Sequence, residues 1–485
     1  MKKNYEISEY GVIRSLDDYE IESSFKSLKE LYLPKEHFND LFDFIMQNQE
    51  EKKEGERMFS IFSKGKKRQI KTKNYVGVIE TSNGLTLEIL PKIFFDYSDE
   101  DYNTELLDTK KVFLKMLSKL KNSPFLNISS AHLKTSSSFP LLEVFIENYI
   151  TEIKKILRAG LKSQYVDKQE NLNFLKGKIV NSLNIKHNHS NKARFYCVFD
   201  EFSDNMVYNQ IIKSTLLKLN RISKSHFNRT NIVQLLHHFD TINESSDFVF
   251  DFKKVNINNR LFSNYKQALS WSEVFLMNKS FTNFSGDSKN VAILFPMERI
   301  FEDYIGYLMK TYADGHEIKT QDKSYYLVDK RKVLGKVEQK PKFRLKPDIV
   351  ATNEINQEQI IFDTKWKILD ESKENKNYNI SQSDMYQLYA YGKKYSLNNT
   401  FSNEPKLVLL YPSNPNFKKQ LDDFIYEGEL VLSVVPFDLK NSLSKNDEQK
   451  EMNKILGSIS KTTMYYLQDQ TLNMAAEDKS AYRNS

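Results

Sequence analysis

Two aspartates and a lysine in the C-terminal half of the chain have the types and spacing of a metal-assisted hydrolytic site. Asp348 follows Pro347, and Asp363 is followed two positions later by Lys365. Paired carboxylates are the hard oxygen ligands that Mg²⁺ prefers. A cation held by them can polarise a phosphate and acidify a water molecule. An adjacent ammonium can orient that water and stabilise charge on the phosphate. These residues therefore indicate chemistry on a phosphate ester.

The residues around the two aspartates predict a pair of β-strands joined by a polar turn. The first strand is expected over Arg344–Thr352, the turn over Asn353–Glu358, and the second strand contains the apolar run Ile360–Phe362. On neighbouring strands of a hairpin, the two aspartates can lie side by side. The lysine, two residues after the second aspartate, points to the same face because side chains alternate along a strand.

The alternative is a pair of ordinary strands whose charged residues lie on a solvated face. The pattern is loose enough to occur by chance about once in every few chains of this length. The position of Asp363 favours the site, because it follows a fully apolar run, where a carboxylate is costly to bury without a partner.

Two predicted helices flank this hairpin and carry further candidate residues. Upstream, Phe295–Lys310 is amphipathic, and Glu302 lies beside its apolar stripe. Downstream, the helix predicted over Ser381–Tyr395 places Gln387 and Tyr391 on one face, because these residues are four positions apart. The expected order is therefore helix, strands, the hairpin with the carboxylates, helix and a further strand over Lys406–Tyr411.

The order of these elements and the motifs on them resemble the PD-(D/E)xK nuclease superfamily. Pro347-Asp348 matches its first motif, and Asp363-x-Lys365 matches its second. Gln387 and Tyr391 match the Q-x-x-x-Y helix of one branch of that superfamily.

Most of the chain is similar to the McrC-like nuclease subunits of McrBC-type restriction systems, including their LlaJI-like relatives. The resemblance implies a catalytic set of Asp348, Asp363, Lys365 and Glu302, with Mg²⁺ (or Mn²⁺ as a substitute) held by the three carboxylates. It also implies that Gln387 and Tyr391 orient the site or the DNA. Lys367 is a rival to Lys365, but it lies four positions after Asp363 instead of two. The segments that carry the resemblance are Phe301-Glu302, Lys346–Val350, Asp363–Lys367, Asp384–Tyr391, Tyr75–Ile93, Leu175–Ile179, and Phe199–Phe202 followed by Asn209.

A partner protein also follows from this resemblance. In the family, the N-terminal part engages a hexameric AAA+ GTPase, McrB, and stimulates its GTP hydrolysis. Here Tyr75–Ile93 predicts a hairpin with Asn83-Gly84 at its turn, and Leu85–Ile89 alternates as a half-buried strand does. The sequence has no Walker-type phosphate loop. We therefore expect GTP to be bound by the partner and not by this chain, which itself acts on double-stranded DNA.

We predict an α+β multidomain fold. A β-rich, partner-binding domain is expected over residues 1–105, and a mostly helical region that connects the domains or faces DNA over 106–290. An α/β PD-(D/E)xK nuclease core with a mixed central sheet is expected over 291–440, and a C-terminal helix and tail over 441–485. For the middle region, a packed helical scaffold is the favoured alternative to a DNA-facing surface.

Composition narrows the class of protein. The net charge of +7, carried mostly by lysine, permits diffuse attraction to phosphates. Cys197 is the only cysteine, so an intramolecular disulfide and a thiolate zinc cluster are excluded, and we expect a buried thiol. The basic stretch Lys64–Lys73 predicts a solvated loop or a loop that touches DNA or an acidic partner. Neither a signal peptide nor an apolar run long enough to span a membrane is present, so we expect a cytoplasmic protein with no membrane partner.

The main hypothesis from the sequence is a Mg²⁺-dependent DNA endonuclease subunit of a McrBC-like restriction complex. A catalytically silent activator of the GTPase ring and a stand-alone DNA repair nuclease are the alternatives. The intact set of Asp348, Asp363 and Lys365 argues against the first alternative, and the N-terminal hairpin argues against the second. The DNA target, including its methylation, is left open.

Overall fold

The computed structural model describes most of the chain and leaves short segments and the C-terminal tail aside. None of the described helices is long and apolar enough to cross a membrane. The described residues are 4–19, 27–49, 57–65, 67–81, 83–93, 102–120, 123–127, 140–256, 260–277, 291–333, 336–338, 340–398, 404–427 and 430–459.

Strands and helices alternate unevenly along the chain. The strands are β1 (Asn4–Ser8), β2 (Val12–Ser15), β3 (Glu30–Leu33), β4 (Phe59–Lys64), β5 (Lys67–Thr72), β6 (Tyr75–Glu80), β7 (Thr86–Leu90), β8 (Gln164–Leu172), β9 (Lys178–Ile179), β10 (Phe195–Ser203), β11 (Val291–Pro296), β12 (His316–Thr320), β13 (Tyr326–Val328), β14 (Arg331–Val333), β15 (Lys336–Glu338), β16 (Lys342–Arg344), β17 (Ile349–Asn353), β18 (Gln359–Thr364), β19 (Lys406–Pro412), β20 (Phe424–Ile425) and β21 (Val431–Phe437). The α-helices are α1 (Lys35–Gln49), α2 (Tyr102–Leu117), α3 (Leu141–Ala159), α4 (Asn181–Asn188), α5 (Val207–Ile222), α6 (His226–Leu236), α7 (Phe248–Lys254), α8 (Lys266–Met277), α9 (Met297–Tyr312) and α10 (Gln382–Asn398). Residues 445–459 are also helical.

Two four-stranded sheets form the N-terminal part, in the orders β1-β7-β6-β11 and β3-β2-β5-β4. The predicted hairpin is present as β6 and β7, but both strands are central and β7 is buried throughout, not half-buried. The reason is that apolar clusters cover both faces of this sheet. Leu87 and Ile89 face one cluster, and Val76 and Val78 face the other. The basic stretch Lys64–Lys73 was expected to be a loop. Most of it instead forms β5, which pairs antiparallel with β4.

Helices predominate among the described residues of the middle region, which also contains a three-stranded sheet in the order β8-β10-β9. Strands β9 and β10 pair antiparallel, and Ile179 lies opposite Cys197. A longer strand, β8, pairs with β10 on its other side and was not predicted, because its sequence is polar and mostly exposed. The thiol of Cys197 is buried, as expected.

The C-terminal part is built on a six-stranded mixed sheet with the order β12-β17-β18-β19-β21-β20. Strands β18, β19 and β21 run parallel to one another, whereas β12, β17 and β18 pair antiparallel. Alternate side chains enter opposite cores. Phe362 and Val408 pack with α9, whereas Ile361 and Leu407 pack with α10. The sheet is therefore covered by a helix on each face.

Two boundaries differ from the expectations. The first strand of the predicted hairpin begins at Ile349, because Arg344 ends a separate strand, β16, and Pro347 cannot donate a ladder hydrogen bond. In addition, β11 pairs antiparallel with β6 in the N-terminal sheet, although it was assigned to the C-terminal core. Such a long-range pairing leaves no local signal in the sequence.

Candidate active site

The hairpin of β17 and β18 brings Asp348 and Asp363 to the same edge of the central sheet. Ile349 lies opposite Phe362, so Asp348 and Asp363 are the next residues on each strand. Asp348 is fixed there by Thr364, whose backbone N–H and hydroxyl donate hydrogen bonds of 2.8 and 2.9 Å to Oδ2 of the aspartate. Asp363 is only 1% exposed. The side-by-side arrangement expected from the sequence is therefore present.

Lys365 lies beside Asp363 and is held from two sides. Its Nζ is 2.5 Å from Oδ2 of Asp363. The same Nζ donates a hydrogen bond of 3.1 Å to Oε1 of Gln387. The amide Nε2 of Gln387 in turn donates a hydrogen bond of 2.8 Å to the hydroxyl of Tyr391, one turn further along α10. Gln387 thus contacts the lysine directly, and Tyr391 contacts Gln387.

Glu302 reaches the site from α9, on the opposite face of the sheet. It lines a pocket of about 250 Å³ together with Asp348, Asp303 and Gln321. The pKa of Glu302 is raised to about 8, first by burial and then by repulsion from Asp348 and Asp303. A carboxyl group with this pKa carries a proton at neutral pH unless a nearby cation stabilises its charged form.

The two aspartates show the same electrostatic strain. Burial, and then repulsion from Asp348, raise the pKa of Asp363 to about 7, even though Lys365 opposes the shift. Burial also raises the pKa of Asp348, although the hydrogen bonds from Thr364 lower it in part. The charge on this set of carboxylates is therefore poorly compensated by the protein, which favours binding of a cation.

Lys365 keeps its proton in this environment. Burial alone lowers the pKa of its ammonium, but attraction to Asp363 outweighs that effect and the net shift is upward. A lysine with a raised pKa is a poor proton acceptor at neutral pH. Its chemistry here is that of a fixed positive charge and hydrogen-bond donor.

The carboxylates fit a hard divalent cation, because Mg²⁺ is commonly held by one or two carboxylates and several waters. Within the described ranges, no three histidine, cysteine, aspartate or glutamate side chains are already gathered as a metal-binding group. Asp348 and Asp363 are the residues that could hold a cation, and Glu302, which lines the same pocket as Asp348, could assist them. His187 and His189 form no such group either; the ring of His187 stacks on Tyr196 at 5.2 Å.

Asp384 was not singled out by sequence analysis, yet it belongs to this site. It lies in the first turn of α10, where it is 5% exposed. Its Oδ2 accepts a hydrogen bond of 2.6 Å from Nζ of Lys367, and its Oδ1 is 3.9 Å from Nζ of Lys365. The two lysines thus have different closest carboxylates. Lys367 pairs with Asp384, and Lys365 pairs with Asp363. The spacing of Asp384 three residues before Gln387 is the signal that could have identified it.

One protein family matches most of the chain. The family model described as "McrBC 5-methylcytosine restriction system component" matches residues 70–412 of the 485-residue chain. No curated protein sequence matches the chain.

Two similar solved structures come from Thermococcus gammatolerans. One is a chain of a refined half-complex from a tetradecameric assembly of McrB AAA+ hexamers with bound McrC. It is 18% identical with a TM-score of 0.63, and the match covers 93% of the present chain and 100% of that chain. The other is a chain of the McrBC complex determined by cryo-electron microscopy, at 18% identity and a TM-score of 0.44, covering 65% of the present chain and 89% of that chain. The first similarity shows a shared fold.

Proposed function

The chain belongs to the McrBC 5-methylcytosine restriction system component family, and we propose that it is a Mg²⁺-dependent DNA endonuclease subunit with a PD-(D/E)xK site. The observation that carries this proposal is the convergence of Asp348, Asp363 and Lys365 on adjacent strand ends, with Asp348 tied to Thr364 and Lys365 paired to Asp363. The family supports a restriction role, and the geometry supports hydrolysis of a phosphodiester.

Asp348 and Asp363 would hold the metal, with Glu302 assisting from α9. When bound, Mg²⁺ supplies positive charge that polarises the phosphate and acidifies water. Ionised ligands are required, so the raised pKa values of Glu302 and Asp363 mean that metal binding releases protons from the site.

Lys365 has the role of a positioned cation. Its ammonium orients the attacking water and stabilises negative charge on the scissile phosphate. Gln387 accepts one N–H bond from that ammonium, and Tyr391 fixes the amide orientation of Gln387. Lys367 donates a hydrogen bond of 2.6 Å to Asp384, so its ammonium is engaged by that carboxylate. The water attacks phosphorus and releases a proton to solvent, the P–O bond to the leaving strand breaks, and the departing oxygen takes up a proton from solvent.

A AAA+ GTPase is the proposed partner. The similar Thermococcus gammatolerans structure contains McrB AAA+ hexamers with bound McrC. The present sequence has no Walker-type loop, so GTP would be bound by the partner. We assign partner engagement and stimulation of GTP hydrolysis to the N-terminal domain. Because β6 and β7 are buried, the contact surface would lie on other residues of that domain.

Plasmid cleavage tests this proposal. Supercoiled DNA, methylated or unmethylated, is incubated with the chain, with and without its candidate GTPase partner and GTP, in Mg²⁺ or in EDTA. We expect cleavage only with Mg²⁺, partner and GTP together. Cleavage by the chain alone would instead indicate a stand-alone nuclease. Stimulated GTP hydrolysis without cleavage of any DNA would indicate a catalytically silent activator.

A further inference from the structure

A basic excursion of the chain begins and ends at the active-site pocket. It leaves the sheet after β12 and returns at β17, and we call residues 322–347 the basic arm. Thr320 and Gln321, just before the arm, and Asp348, just after it, line the same pocket as Glu302. The backbone N–H of Gln321 also donates a hydrogen bond of 2.7 Å to the carbonyl of Asp348. The two ends of the arm are therefore tied together beside the carboxylates.

The arm concentrates positive charge. The arm contains nine lysines and arginines and three acidic residues. Its net charge is therefore +6, compared with +7 for the whole chain. Elsewhere the charges of the chain nearly cancel, so the arm is the main source of its basic character. The basic side chains described as exposed are Lys323, Lys330, Lys332, Lys340, Lys342, Arg344 and Lys346.

Helix α10 contacts two of the three acidic residues and so anchors the arm. Asp329 forms an ion pair with Lys394. Asp322 accepts a hydrogen bond from the hydroxyl of Tyr395. The same helix carries Gln387 of the active site. Two short antiparallel pairings, β13 with β16 and β14 with β15, give the arm a backbone framework. Two acidic side chains of the arm thus contact the protein, and Lys330, Lys332 and Lys342 are exposed.

An exposed aromatic residue lies among these cations. Phe343, between Lys342 and Arg344, is 74% exposed and has a φ of 57°, a conformation that costs free energy for a bulky residue. The guanidinium of Arg344 stacks over the ring of Tyr326 at 4.8 Å from its centroid. Aromatic and cationic side chains side by side suit the sugar–phosphate and base surfaces of a nucleic acid.

We propose that the basic arm binds the phosphate backbone of duplex DNA next to the scissile bond, with Phe343 contacting the groove. The inference rests on the proposed nuclease function and specifies how its substrate is held. Phosphate contacts position a duplex without reading sequence, which fits the predominance of lysine in the arm. An acidic partner protein is the competing occupant, and the test below distinguishes it.

Binding of a fluorescent 30-base-pair duplex to the full-length chain, measured in EDTA at several salt concentrations, tests the arm. The arm variant is Lys330→Gln/Lys332→Gln/Lys342→Gln. The matched control is Lys35→Gln/Lys445→Gln/Lys450→Gln, which removes the same charge at exposed positions elsewhere. We expect the arm variant to bind the duplex about 10- to 100-fold more weakly than the wild type. The slope of log K against log salt should become shallower by about two to three. The control should match the wild type.

A second variant tests the aromatic contact. Phe343→Ala should weaken binding by several-fold and leave the salt slope unchanged, because no phosphate contact is lost. If the arm variant binds like the control, the inference is wrong while the nuclease proposal stands, provided that the wild type still cleaves DNA. If it binds DNA normally but no longer stimulates the partner GTPase, the acidic-protein alternative is correct. A wild type that neither binds nor cleaves DNA would overturn both proposals.

Discussion

The indole Nε1 of Trp366 donates a hydrogen bond of 2.6 Å to Oε1 of Glu9, which lies 357 positions earlier in the chain. Trp366 directly follows the candidate catalytic Lys365. The backbone N–H of Lys92 donates to the same Glu9 oxygen at 3.0 Å, and Nζ of Lys92 donates to the carbonyl of Trp366 at 3.1 Å. Glu9 and Lys92, both from the N-terminal part of the chain, therefore contact the residue that follows Lys365.

Removing Glu9 should destabilise this junction. Glu9→Ala leaves two buried N–H donors without an acceptor, so we predict a loss of about 1–3 kcal/mol in the free energy of unfolding. Glu9→Gln keeps an acceptor oxygen and should lose less. Urea unfolding followed by tryptophan fluorescence measures both, with Glu36→Ala on the exposed face of α1 as the control. A Glu9→Ala variant as stable as that control would show that the contact is dispensable.

The two lysines of the site should differ sharply. Lys365 contacts Asp363, whereas Lys367 is held by Asp384. We predict that Lys365→Ala lowers the rate of DNA cleavage about 10²- to 10³-fold, because a positioned charge is lost from the reacting phosphate. Lys367→Ala should lower it less than about tenfold. Single-turnover cleavage compares them. Equal losses in the two variants, or a larger loss for Lys367→Ala, would contradict the assignment of the catalytic role to Lys365.

The Gln387–Tyr391 pair should act through Lys365. Gln387→Leu removes the acceptor of the lysine ammonium and should lower the cleavage rate about 10- to 100-fold, as is common for groups that orient ligands of a site. Tyr391→Phe keeps the packed ring and removes only the hydroxyl, so its loss should be smaller. Both variants should retain DNA affinity, so the effect falls on kcat and not on KM. A rise in KM alone would indicate that Gln387 and Tyr391 contact the DNA and do not act through Lys365.

Acidification should stabilise the metal-free protein between about pH 8 and pH 6. Glu302 and Asp363 bind protons in the folded state at pKa values of about 8 and 7, whereas unfolded carboxyl groups remain ionised down to about pH 4. The folded state binds more protons in this window, so stability falls as pH rises. The Tm measured in EDTA should therefore decline from pH 6 to pH 8 in the wild type. The decline in Tm should be weaker in Glu302→Gln/Asp363→Asn. An identical decline in the wild type and this variant would contradict the raised pKa values of Glu302 and Asp363.

Local patterns predicted the elements around the site. Helix α9 with Glu302, α10 with Gln387 and Tyr391, and the hairpin that joins β17 to β18 all follow from periodicity over short windows. The side-by-side placement of Asp348 and Asp363 followed from the two-residue period of strands. These are short-range consequences of the sequence, and the structure contains them. The catalytic roles of these residues remain predictions.

Long-range relationships could not be predicted in the same way. The pairing of β11 with β6, the full burial of β7, and the contact between Glu9 and Trp366 all join segments far apart in the chain. Each depends on which surfaces meet after folding, and neither propensity nor spacing encodes that. The position of Asp384 was accessible in principle, but a single aspartate in a first helical turn is more commonly a cap than a functional residue.

The most direct test of the nuclease proposal compares wild type with Asp363→Ala in the complex assembled with the candidate GTPase. Two quantities are measured on the same samples, the rate of Mg²⁺-dependent DNA cleavage and the rate of GTP hydrolysis. We predict that Asp363→Ala loses detectable cleavage and keeps the wild-type stimulation of GTP hydrolysis. Cleavage at the wild-type rate by Asp363→Ala would contradict the assignment of this site as the nuclease centre.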